Sequence, residues 1–94
     1  MAKQLQVELV AVEQKVWTGQ ADLVIARTTE GELGIMPGHA PMLGQLAEPG
    51  QVRVKESSGA ELAWDVSGGF LSVTSDGVTV LAESAAPADA SAAR

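Results

Sequence analysis

Few side chains in this 94-residue sequence could take part in chemistry. Its single histidine, His39, lies between two prolines in the segment PGHAP, and the chain has no cysteine. A nucleophilic mechanism needs a base beside its serine, threonine or cysteine, and the sequence contains no G-x-S-x-G elbow. A zinc site needs three or four ligands, and none is suitably spaced around His39. The sequence therefore predicts no catalytic residue and no metal site, and His39 is interpreted as a residue of a rigid loop that packs locally or contacts a protein.

Two carboxylates, Glu30 and Glu32, flank Gly31. In an extended chain, residues two apart lie on the same side, so the pair could hold a cation or a basic partner surface. A calcium loop of the EF-hand type would need several further oxygen ligands, which are missing. From the residues alone, a protein contact and a solvated turn are equally favoured, because exposed charges mostly belong to ordinary surface.

The tripeptide Ser67-Gly68-Gly69 has the composition of a phosphate-binding glycine run, but the sequence has neither the Walker lysine nor the helix that should follow. Glycine within a strand pattern usually marks a bulge or a tight bend, which is the interpretation favoured here. Trp17 and Trp64 are interpreted as packing residues, since two isolated tryptophans form no stacking platform. We expect no cofactor.

Composition excludes several classes of partner. Twelve acidic and six basic residues give a formal charge of −6, which repels nucleic acid and anionic headgroups. No segment approaches the roughly 20 apolar residues that span a bilayer, so we expect no direct membrane insertion. The absence of cysteine excludes disulfides and fits a reducing compartment.

The hydrophobic pattern predicts short strands. Apolar and polar residues alternate at residues 5–9, 51–55 and 62–66, and residues 22–28 form a more continuous apolar run typical of a strand covered on both faces. Asp76-Gly77 separates two further strands, residues 70–74 and 78–82, as a hairpin connection would. This pattern favours an antiparallel sandwich or barrel over residues 1–85. Residues 86–94, rich in alanine and serine, are expected to form a disordered tail.

Four ordered blocks resemble one known family. Residues 30–43, EGELGIMPGHAPML, are similar to the signature of the epsilon subunit of F-type ATP synthases, and residues 11–19, 66–73 and 78–85 resemble further segments of that family. The resemblance covers residue 5 to about residue 85 and implies an all-β fold, a two-sheet antiparallel β-sandwich. Most members continue into two C-terminal helices that can restrain ATP hydrolysis; here only the short tail follows, so neither that brake nor nucleotide binding is expected.

The resemblance also implies a function. Members are non-catalytic rotor subunits of the central stalk that link the gamma subunit to the c-ring and couple proton flow to ATP synthesis; a bacterial member lies peripherally at the cytoplasmic face of the plasma membrane. It implies two sets of contact residues: Glu30, Gly31 and Glu32 toward the c-ring, and His39, Met42 and Leu43 toward gamma. A free-standing β-sandwich adaptor or ligand-binding module is the alternative, because fold alone does not determine function. An enzyme that relies on carboxylates comes third.

Overall fold

The computed structural model describes residues 4–12, 14–56 and 58–87, which form eight β-strands. The strands are β1 (Leu5–Ala11), β2 (Gln14–Ala21), β3 (Leu23–Thr28), β4 (Gly31–Ile35), β5 (Met42–Gln45), β6 (Gly50–Lys55), β7 (Glu61–Val73) and β8 (Gly77–Pro87). The all-β prediction is confirmed. Within these ranges, no helix is long and apolar enough to cross a membrane.

Two long strands, β7 and β8, are shared between the two layers of a sandwich. Residues 61–66 of β7 pair with β6, and residues 70–73 pair with β5. The back layer, or back sheet, therefore has the order β4-β3-β6-β7-β8, in which residues 85–87 of β8 pair with residues 64–66 of β7, and the front layer, or front sheet, has the order β2-β1-β8-β7-β5. All pairs are antiparallel except β1 with β8, which run parallel. A parallel pair needs a long connection, and here most of the chain lies between the two strands.

A bend in β7 makes this sharing possible. The buried side chains occupy even positions up to Val66 and odd positions from Leu71 onward, so the strand exchanges its faces between these residues. Gly68 and Gly69 lie there with φ of 65° and 110°, a region that favours glycine. A Cβ atom on Gly69 would collide with the carbonyl oxygen of Leu81. The predicted bend at Ser67-Gly68-Gly69 is confirmed, and the strands predicted at residues 62–66 and 70–74 belong to one strand, β7.

The core between the sheets is mainly aliphatic, and no polar or charged side chain of the described residues is buried in it. The rings of Trp17 and Trp64 lie 5.5 Å apart at 43°, and both residues pack with the core, as predicted. Strand β3 differs from its prediction: Val24 and Ala26 are buried, but Ile25 is only half-buried. Only one face of β3 is therefore fully covered by the core, and not both faces as its apolar run predicted.

Strand β8 continues to Pro87, so Ala86 and Pro87, which the sequence analysis assigns to the tail, pair with β7. Their partners are Asp65 and Trp64 in the first half of that strand. The rest of the predicted tail, residues 88–94, lies outside the described residues.

Candidate functional site

The turn between β3 and β4 is held by a threonine. The Thr28 hydroxyl accepts a hydrogen bond from the Glu30 amide at 3.1 Å and donates one to the Gly31 carbonyl at 2.8 Å. Gly31 has φ of 123° and no atom within 4 Å of where its Cβ would be. The Thr29 amide donates to the Gln45 carbonyl at 2.9 Å, which ties the turn to β5. The turn is therefore ordered by its own hydrogen bonds while its charged side chains remain exposed.

Glu30 and Glu32 have different surroundings. Glu30 lies in the turn and not in an extended segment, so the two-residue spacing does not align its side chain with that of Glu32. Glu32 lies in β4, opposite Arg27 of β3. Its Oε2 atom is 3.6 Å from Nη2 of Arg53, which the sequence analysis did not select. No pattern near either residue indicates this ion pair, because strand register creates it.

The loop that carries His39 connects β4 to β5. The Gly38 amide donates to the Ser75 carbonyl at 3.2 Å, and the His39 amide donates to the Met36 carbonyl at 3.1 Å. The His39 ring nitrogen Nδ1 lies 2.7 Å from the Ala40 carbonyl oxygen and must donate there, because a carbonyl only accepts. Among the described residues, no three His, Asp or Glu side chains are grouped so that they could hold a metal. The loop is anchored at its base, with His39 turned back toward its own backbone.

Met42 and Leu43 lie next to each other on β5 and face opposite sides. Met42 is half-buried and packs against the core, whereas Leu43 is 75% exposed on the outer face of the front sheet, opposite Ser72. Leu43 is therefore available to a partner, and Met42 mainly fixes β5 to the core.

The two predicted sets of contact residues meet at one groove. Its walls are residues 28–33 of the turn and residues 42–45 of β5. Glu30, Gly31 and Glu32 all line the groove, as do Met42 and Leu43, whereas His39 does not. The structure thus joins sets that the sequence treats as separate.

An exposed apolar patch on the front sheet was missed by the sequence analysis. Phe70 and Leu81 lie directly opposite each other and are 56% and 51% exposed, and Val10 lies opposite Leu81 on the next strand. With the exposed Val12 these residues form what we call the front patch. Leu43 lies on the same face of β5 as Gln45, two residues away, and Gln45 is the β5 partner of Phe70. Contiguous exposed apolar surface of this kind is a candidate interaction site. Strand alternation could have revealed it, since Leu71 and Val73 inside require Phe70 outside.

The outer face of the back sheet has the opposite character. Lys55 lies opposite Glu61, the Gln51 amide group donates to Asp65 at 3.4 Å, and Arg53 pairs with Glu32. These charged and polar groups lie opposite or bind one another, as on a solvated surface. The two outer faces of the sandwich are therefore chemically distinct.

Comparison with known proteins gives consistent matches. The sequence model of the ATP synthase delta/epsilon chain, β-sandwich domain, matches residues 4–88. The ATP synthase epsilon chain of Rhodococcus erythropolis is 60% identical over 82 residues, which cover 87% of this chain and 67% of that protein. The epsilon chain of Frankia casuarinae is 56% identical over 81 residues, covering 86% of this chain and 94% of the relative.

Solved structures agree in fold. A chain of the Euglena gracilis mitochondrial ATP synthase, in a structure that includes F1 and the c-ring, superposes with a TM-score of 0.85 at 26% identity. That match covers 93% of this chain but 55% of the Euglena chain. The Tetrahymena thermophila mitochondrial ATP synthase gives a second match, to a chain in its central stalk and c-ring structure. The TM-score is 0.66 at 21% identity, and the match covers 92% of this chain and 69% of the Tetrahymena chain. This chain thus spans about two thirds of the Rhodococcus relative and about half of the Euglena chain.

Proposed function

Because this chain belongs to the delta/epsilon family of ATP synthase chains, we propose that it is a non-catalytic rotor subunit of the central stalk that links gamma to the c-ring. The family predicted from the sequence is confirmed. The names of the relatives, all epsilon chains, support the assignment, as does the c-ring in the Euglena structure. Through these contacts the subunit would couple proton flow to ATP synthesis mechanically.

The observation that carries this proposal is the chemical difference between the two outer faces. A rotor subunit must bind its neighbour firmly on one side, and buried apolar anchors contribute most of the energy of such interfaces. The front sheet supplies exposed apolar residues, and the back sheet supplies mutually compensating charges. We therefore propose that gamma binds the front sheet, where Leu43 and the front patch are anchors and His39 and Met42 border or support the contact.

The acidic turn is proposed as the contact with the c-ring. Glu30, Gly31 and Glu32 project at the end of the β3–β4 hairpin, and they share their groove with Met42 and Leu43 of β5. This arrangement suits a subunit that meets two neighbours along one continuous surface. An adaptor outside the rotor would need no such pairing of an acidic turn with an apolar face.

The ATP synthase is a membrane-associated complex, and we propose that this subunit lies at the cytoplasmic face of the plasma membrane as a peripheral component. Its attachment would run through its partners. The isolated chain is proposed to bind no nucleotide.

Co-expression with the gamma subunit of the same organism tests the proposal. With an affinity tag on gamma, we expect the untagged chain to co-elute at a stoichiometry of one to one. A matched pair of variants identifies the face: Phe70→Asp on the front sheet should abolish co-elution, and Ala63→Asp on the outer face of the back sheet should leave it intact. Recovery of the chain only in the unbound fraction would contradict the rotor assignment.

A further inference from the structure

A row of side chains crosses the outer face of the front sheet beside the front patch. Each of the five strands contributes one residue, and each residue lies opposite the next. From β2 to β5 the members are Thr18, Glu8, Thr79, Ser72 and Leu43. We call this the middle row. All of its members except Leu43 are polar, so its chemistry differs from that of the front patch.

The middle row lies between residues that are proposed to contact gamma. Ser72 follows Phe70 by two residues on β7, and residues two apart on a strand lie on the same face, about 6.6 Å from each other along the strand. Ser72 also lies opposite Leu43 on β5. Thr79 occupies the corresponding place beside Leu81 on β8. A partner that covers both the front patch and Leu43 must therefore also cover the hydroxyl groups of the middle row.

Two of these hydroxyl groups have no hydrogen-bond partner in the chain itself. Ser72 and Thr79 are half-buried and lie opposite each other, and in the described part of the chain no hydrogen bond engages either hydroxyl. The Thr18 hydroxyl, by contrast, donates to the Val7 carbonyl at 3.3 Å. A polar group that becomes buried at an interface without a partner opposes binding. The surface of gamma that covers this row must therefore bring hydrogen-bonding groups of its own.

Two carboxylates line the groove that runs along the middle row, which we call the polar groove. They belong to Glu8 and Asp76, and among the described residues no lysine or arginine lines this groove. The only cation near Glu8 in an ion pair is Lys15, 3.4 Å away, and both side chains of that pair are about half exposed. The Asp76 backbone is held by the Thr74 hydroxyl at 3.3 Å and the Gln6 amide at 3.0 Å, but its carboxylate has no partner within the described ranges. The polar groove therefore carries more negative than positive charge.

From this arrangement we infer that the polar groove receives a basic side chain of gamma, a lysine or an arginine, whose charge is held by Glu8 and Asp76. The same segment of gamma forms hydrogen bonds with Ser72 and Thr79. The inference rests on the proposed function, which identifies the partner, and it adds the chemistry that this partner carries. The front patch contributes affinity, whereas the polar groove fixes how gamma lies on the sheet, because a displaced partner would cover the carboxylates and hydroxyls without pairing them.

Isothermal calorimetry with purified gamma tests the charge. Glu8→Gln and Asp76→Asn keep the size of each side chain and remove its charge, and Asn-Gly forms tight turns as Asp-Gly does. We expect each variant to weaken gamma binding about three- to fivefold, within the range of partly exposed ion pairs. The matched control is Glu61→Gln, at an exposed carboxylate opposite Lys55 on the back sheet, which should leave binding unchanged. Added salt should weaken binding of the unaltered chain more than binding of the Glu8→Gln, Asp76→Asn double variant.

Thr79→Val tests the hydrogen bonds of the middle row. Valine has the shape of threonine without the hydroxyl, so an apolar surface of gamma would bind this variant as well as the unaltered chain or more tightly. A hydrogen-bonding surface would be left with an unpaired buried group, and we therefore expect gamma binding to weaken about fivefold. Circular dichroism and urea denaturation check that the variant keeps its fold. Unchanged or tighter binding would contradict the hydrogen-bonded contact.

Charge reversal identifies the basic residue of gamma. Glu8→Lys and Asp76→Lys should weaken binding by more than the neutral variants do, and replacement of one lysine or arginine of gamma by glutamate should restore part of the loss. If no replacement in gamma restores binding, the basic contact is wrong. If Phe70→Asp abolishes binding but the groove variants behave like Glu61→Gln, the inference fails and the rotor proposal stands. If the unaltered chain does not bind gamma, the proposed function fails and the inference fails with it.

Discussion

Substitution of Leu43 by alanine should weaken gamma binding without affecting the fold. Complete burial of a leucine side chain contributes about 1.5–3 kcal/mol. Leu43 is 75% exposed in the free chain, so covering its remaining surface at an interface is expected to contribute about 1–2 kcal/mol. Because 1.4 kcal/mol corresponds to a factor of ten, Kd for gamma should rise about 5–30-fold. The free energy of unfolding should change by less than about 0.5 kcal/mol, as for other exposed positions.

The neighbouring residue gives the contrast. Met42 packs against the core, so Met42→Ala should lower the free energy of unfolding by about 1–2 kcal/mol, less than for a fully buried methionine, and weaken gamma binding as well. Isothermal calorimetry with purified gamma measures the affinities, and urea denaturation measures the stabilities. Lys55→Ala, exposed at the back sheet, serves as the control and should change neither. Unchanged gamma affinity in both Leu43→Ala and Met42→Ala would refute the assignment of β5 to the interface.

Three further predictions address the bend, the front patch and the chemistry. Gly69→Ala should destabilise the domain by about 2–5 kcal/mol in urea titrations, because a positive φ costs about 1–3 kcal/mol and the new Cβ meets rigid backbone. The control is Gly34→Ala, whose new Cβ would meet only Leu23 at 3.9 Å and which should lower the free energy of unfolding much less. If both variants lost the same stability, the bend would not be constrained as described. The double variant Phe70→Ser with Leu81→Ser should lose gamma binding by more than Leu43→Ala while remaining folded by circular dichroism; retention of gamma would remove the front patch from the interface. Titration of ATP into the isolated chain should give no binding heat, and phosphate release from ATP should stay at background. A clear, saturable binding heat would contradict the expectation that this chain has no nucleotide site.

Local sequence features predicted most of the strands. Alternation located β1 and β6, and Asp76-Gly77 marked the connection between β7 and β8. The glycines at residues 68 and 69 correctly indicated a bend. The sequence did not reveal that β7 passes through this bend from one sheet into the other. The sheet to which each half of β7 belongs depends on its hydrogen-bonded neighbour, which is β6 before the bend and β5 after it.

The candidate site was predictable only in part. The resemblance selected the acidic turn and β5, but Arg53 reaches Glu32 through the register of three strands, which residue types do not encode. The outward direction of Phe70 follows from its alternation with the buried Leu71 and Val73, whereas hydrophobicity alone would place this residue in the core. The apolar run of β3 misled for a related reason, because Ile25 lies on a solvated face beside the stem of a charged side chain.

Site-specific photo-crosslinking in the assembled ATP synthase tests the central claim most directly. A photoreactive phenylalanine analogue in place of Leu43 or Phe70 samples the front sheet, and the same analogue in place of Ala63 samples the back sheet. We predict that the first two positions form covalent products with gamma and that the third does not. Products with gamma from the back sheet alone, or from none of the three positions, would contradict the account of this chain as a rotor subunit that binds gamma through its apolar face.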